Sequence, residues 1–111
     1  MNPIRCLIAD VTHCMLGDIV KRVVEEEESI ELVGNTSNLS NISRIIESQS
    51  IELLIVVVND KMLQQLHNVM SDELSGIMVI GLMEDGRRAV VYLDDIGVDD
   101  IIKMTVNYAR R

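Results

Sequence analysis

The 111-residue chain is expected to fold as a single α/β domain around a doubly wound sheet of five parallel strands, and three observations carry that expectation. Short apolar runs alternate with segments of helical period, as strands alternate with crossover helices. Leu53-Leu54-Ile55-Val56-Val57-Val58 has no polar alternation, the mark of a central strand covered on both faces. The composition, 48% hydrophobic and 25% charged with six glycines and one proline, is that of a folded chain rather than a disordered one.

The elements follow in order. Ile4 to Ala9 reads as the first strand. Leu16, Ile19, Val20, Val23 and Val24 then repeat at i, i+3, i+4, i+7 and i+8, one face of a helix. Glu25 to Glu28 closes it as a solvated end, set against the negative pole of the helix dipole, with an acidic docking patch as the alternative reading. Ile30 to Val33 is the second strand. Leu39, Ile42, Ile45 and Ile46 form the second helix, with Ser37 or Asn38 placed to cap it. After the third strand at Leu53 to Val58, a third helix carries Leu63, Leu66, Val69 and Met70, and Met78 to Leu82 is the fourth strand. Ala89, Val90, Leu93 and Ile96 predict a fourth helix ended by Gly97, and Ile101-Ile102 a fifth strand. Thr105 to Arg111 then leaves about two turns, so the closing helix is shortened or missing.

Charge and length exclude several functions. Ten Lys and Arg against eighteen Asp and Glu give −8, which opposes the phosphate neutralisation behind nucleic-acid affinity. No apolar run approaches the roughly 20 residues of a bilayer span, and no signal-like segment opens the chain. The expectation is a soluble cytoplasmic protein that engages neither nucleic acid nor membrane. Cys6 and Cys14 are read as reduced thiols, Cys6 inert within a strand and Cys14 the more reactive at a helix start. With no Phe or Trp and two Tyr, the core must be aliphatic, and Met62, Met70, Met78, Met83 and Met104 serve as gap-fillers.

Ile4-Arg5-Cys6-Leu7-Ile8-Ala9-Asp10, followed by Ile30 to Asn38, then Glu52 to Val57 and Gly97-Val98-Asp99-Asp100, resembles the receiver domain of two-component response regulators over nearly the whole chain. The resemblance implies a flavodoxin-like (CheY-like) sheet of order 2-1-3-4-5. It also implies a site that takes a phosphoryl group from a histidine kinase. In that site carboxylates at the ends of the first and third strands hold Mg²⁺, one Asp attacks phosphorus, and a Lys and a hydroxyl engage the phosphoryl oxygens.

This sequence departs from the pattern at nearly every one of those positions. Asp10 matches the first carboxylate, but Val11 stands where a second acid is usual, Val57 at the phosphoacceptor and Met83 at the hydroxyl. Met104 falls at the lysine unless a one-residue slip restores Lys103, and Ile101 replaces the aromatic switch residue. Met83 and Met104 are expected to meet and seal the former site. The implied protein is a degenerate pseudo-receiver, noncatalytic, without metal or cofactor, acting in signalling by phosphorylation-independent protein binding.

Its partner is expected to be a protein or a second copy, through Arg87, Arg88, Tyr92, Asp94 and Asp95 on the fourth-helix face and through apolar surface of the first strand uncovered by the shortened tail. Two rival readings remain open. Asp60, three residues past Val57, could replace the phosphoacceptor with Lys103 as its cation, although an Asp in the first turn of a helix is ordinary. Asp10, His13 and Cys14 could ligate a metal or small molecule. Asp10, His13 and Gly17 also approximate a cobalamin-binding word, one residue too long at each step.

Overall fold

The computed structural model describes residues 2–12, 14–72, 76–93 and 97–110, with the backbone alone for 69–72. The strands are β1 (Ile4–Asp10), β2 (Ile30–Thr36), β3 (Leu53–Val58), β4 (Met78–Met83) and β5 (Ala89–Tyr92). The helices are α1 (Met15–Glu26), α2 (Ile42–Gln49, preceded by the 3-10 turn Leu39–Asn41), α3 (Asp60–Asp72) and α4 (Val98–Ala109). The sheet order is β2-β1-β3-β4-β5, as the sequence led us to expect.

Alternate residues of each strand feed two cores. Cys6 and Ile8 of β1 and Leu53 and Ile55 of β3 pack with Val20 and Val24 of α1. Leu7, Ala9, Leu54, Val56 and Val58 pack on the other face with Leu39, Ile42 and Leu66, the side of α2 and α3. All six side chains of β3 are buried, as its unbroken apolar run requires. No helix among the described residues is long and apolar enough to cross a membrane.

Burial at Cys6 raises its thiol pKa from 9.0 to about 11, because the charged form has no solvation there. The folded state therefore holds this proton more tightly than the unfolded state. Its contribution is complete below pH 9 and is lost as pH rises toward 11. Urea denaturation of the native protein and of Cys6→Val at pH 8 and pH 11 should show the native protein losing some 2–3 kcal/mol more than the variant. Equal losses would contradict it.

The last third of the chain corrects the expectation of an all-parallel sheet. Ala89–Tyr92 is not a helix but a strand running antiparallel to β4, with Ile80 opposite Val91 and Leu82 opposite Ala89. Asp85-Gly86 makes the difference. Gly86 has φ 73°, a conformation that costs glycine little, and its N–H bonds Met83 O at 2.9 Å. Met83 N–H then bonds Arg88 O at 2.9 Å and closes a hairpin. The β-branched pair Val90-Val91 favours the strand.

Ile101-Ile102 is correspondingly not a strand but part of α4, whose start is marked by Asp99 and Asp100 in the first turn. The closing helix is thus neither shortened nor missing: it has 12 residues, but none of them is buried. The expected uncovering of β1 is confined to Ile4, 42% exposed, since Cys6 to Ala9 are all buried.

Candidate functional site

In doubly wound sheets, ligands bind beyond the carboxyl ends of the strands, where the chain order reverses, here between β1 and β3. Asp10 ends β1, and its register partner across the sheet is Val57. Val57 is completely buried, so a hydrocarbon side chain is fixed beside the one carboxylate of that pair. Val11 turns toward the α2–α3 core and is partly buried, while Met83 at the end of β4 is buried in the same core. Met104 lies exposed on α4, so the expected seal of Met83 by Met104 does not form. Lys103 is on the same exposed helix, because the segment assigned to a fifth strand is helical.

Asp10 is held by local structure. Thr12 Oγ1 donates toward its Oδ1 at 3.1 Å and lies 3.1 Å from Cys14 Sγ. Its Oδ2 sits against the Cα of Gly17 in the first turn of α1, where any Cβ would collide with the carboxylate. A carboxylate at that end of a helix is favoured by the dipole. Cys14, half-buried, is the residue before α1, and His13 lies outside the described residues.

Asp60 begins α3, preceded by Asn59, whose Oδ1 accepts the Met62 N–H at 3.0 Å as a helix cap. The Asp60 carboxylate is 76% exposed and lies 3.6 Å from Arg88 Nη2. Arg88 also holds Asp85, Nε and Nη2 each 3.1 Å from Oδ2. The Asp85 carboxyl is pulled below its usual range, first by the Arg87 backbone N–H at 2.8 Å and then by Arg88. A cleft of about 260 Å³ runs between Asn59, Asp60, Met83, Glu84, Asp85 and Arg88. The hairpin thus delivers a cation, Arg88, to this end of the sheet, a placement the sequence reading missed. Asp85-Gly86 between two apolar runs was the signal for it.

The described residues expected on a fourth-helix face lie along the hairpin instead. Arg87 and Arg88 belong to the hairpin turn, not to a helix face, and Tyr92 sits about 13 Å along β5 at 3.3 Å per residue. The half-buried Tyr92 ring lies against His67 of α3, centroids 6.1 Å apart. Asp94 and Asp95 lie outside the described residues.

The residues do not fit the Mg²⁺ of an active receiver. The ion prefers oxygen ligands in octahedral geometry, and the positions around Asp10 offer it Val11 and Val57. Among the described residues no three His, Cys, Asp or Glu side chains converge enough to hold a metal. No protein-family model, curated protein or solved structure matches the chain.

Proposed function

We propose that the chain is a noncatalytic pseudo-receiver that works in response-regulator-type signalling by binding protein independently of phosphorylation. The observation that carries this reading is Val57, buried directly across from Asp10. Phosphoryl transfer to a receiver needs a carboxylate nucleophile and a metal held by neighbouring oxygens, and a valine supplies neither. Strand order 2-1-3-4-5 and an acid at the end of β1 support the family resemblance, while the antiparallel β5 removes the strand from which the family's lysine would come. Asp60, the rival acceptor, is engaged by Arg88 and serves the start of α3. With the chemistry gone, the working part is the surface.

The test is addition of Mg²⁺ with beryllofluoride, or with acetyl phosphate, followed by amide-shift mapping and intact-mass measurement. The expected result is no saturable shift and no added phosphoryl mass. A saturable shift centred on Asp60 would restore the reading of an active switch.

A further inference from the structure

The surface area of the chain is its least ordinary property. A folded monomer of 12.5 kDa exposes about 6,200 Å² by the usual scaling with mass. This chain exposes 7626 Å², an excess of about 1,400 Å² over that scaling. Two features among the described residues contribute to it, and they are complementary.

The first is a groove on the α1 side of the sheet. Asp18 and Lys21 of α1 share a cleft with Asn35, Thr36 and Ser37, so that flank of the helix faces β2. Ile19 and Val23, 50% and 60% exposed, lie on the opposite flank, toward β4 and β5. The floor there is Ile80 and Leu82, only half-buried, and Val91, which is 47% exposed and shares their face by register with Ile80. A doubly wound sheet carries helices on both faces, and here no helix among the described residues fills the space beside α1.

The second feature is α4, whose Val98, Ile101, Ile102 and Thr105 fall on one stripe while Asp99, Asp100, Lys103 and Asn107 fall elsewhere. No residue of this amphipathic helix is buried.

We propose that two copies of the chain exchange α4, each helix lying in the other's groove beside α1 over β4 and β5. An unrelated partner would have to supply both a helix for the groove and a groove for the helix. A second copy related by a two-fold axis supplies both at once. The areas agree: removing the excess from both copies buries about 2,800 Å², within the 2,000–5,000 Å² range of obligate homodimers. The proposal names the partner in the binding reading above, resting on it only for the premise that the surface is the working part. Phosphoryl-analogue binding and oligomeric state are separate measurements, so either can fail alone.

Sedimentation equilibrium of the full chain over a dilution series should give twice the 12.5 kDa chain mass. Ile102→Glu and Val91→Glu alter side chains exposed in the single copy, so each should keep the native circular dichroism. Each loses the same contact twice by symmetry, so dimerisation should weaken roughly 100-fold or more. Mixing the two variants should restore part of the association, since the heterodimer keeps one native helix-and-groove seam and gathers both substitutions in the other. A native chain that stays monomeric at 100 µM would overturn the exchange. So would a dimer that neither variant weakens.

Discussion

Val57→Asp is expected to cost roughly 3–5 kcal/mol at pH 7, the range for leaving a charge buried without a partner. The native side chain is completely buried and its register partner is Asp10. The substitution therefore places a second carboxylate one strand spacing, about 4.8 Å, from the first. Desolvation and like charge both raise the new group's pKa above its unfolded value. The sign follows: the folded variant binds the extra proton more tightly, so its deficit is smallest near pH 4 and grows as pH rises through the raised pKa. Urea denaturation of both proteins at pH 4 and pH 7 checks the size and the direction. A Val57→Asp protein as stable as the native one, with beryllofluoride binding, would contradict the proposed noncatalytic reading.

Leu66→Ala is the second large effect. Leu66 is fully buried, and of the α3 side chains described it alone is. Truncation should cost roughly 2–5 kcal/mol, combining lost transfer energy with the cavity left behind. The same leucine makes Gly81 necessary: a Cβ at residue 81 would come within 3.2 Å of Leu66 Cδ2. Gly81→Ala alone should destabilise by about 1–3 kcal/mol through overpacking. In the double variant the added methyl occupies part of the space the leucine vacates. The combined loss should fall short of the sum by about 1 kcal/mol or more, read from a double-mutant cycle in urea. Strict additivity would show that the leucine and the glycine do not share that space.

Through β4 the sequence was legible because one period dominates each segment. The buried runs of β1 and β3 and the stripe of α1 each came from spacing alone. From residue 89 onward the same residues fit two periods. Ala89, Val90 and Leu93 match a helical stripe, and Ala89 to Tyr92 equally match a short strand; tertiary pairing with β4 decides for the strand. Reading the Asp85-Gly86 turn first would have settled it, since a hairpin there leaves no room for a helix.

At the candidate site, the apolar identities of Val57 and Met83 and their burial were readable, because one lies within a strand run and the other follows one. Arg88 was not, since its position depends on the direction of β5. Met104 and Lys103 were misplaced for the same reason.

The hairpin also bears on the order in which the chain folds. Pairing β4 with β5 requires closing only the turn between Met83 and Ala89, an event on the microsecond scale for an isolated hairpin. Joining β1 to β2 or β3 means first closing far longer segments, whose entropy loss precedes any contact. Relative to a wholly crossover-connected sheet, one edge is local in sequence. The slow step is left to the parallel centre.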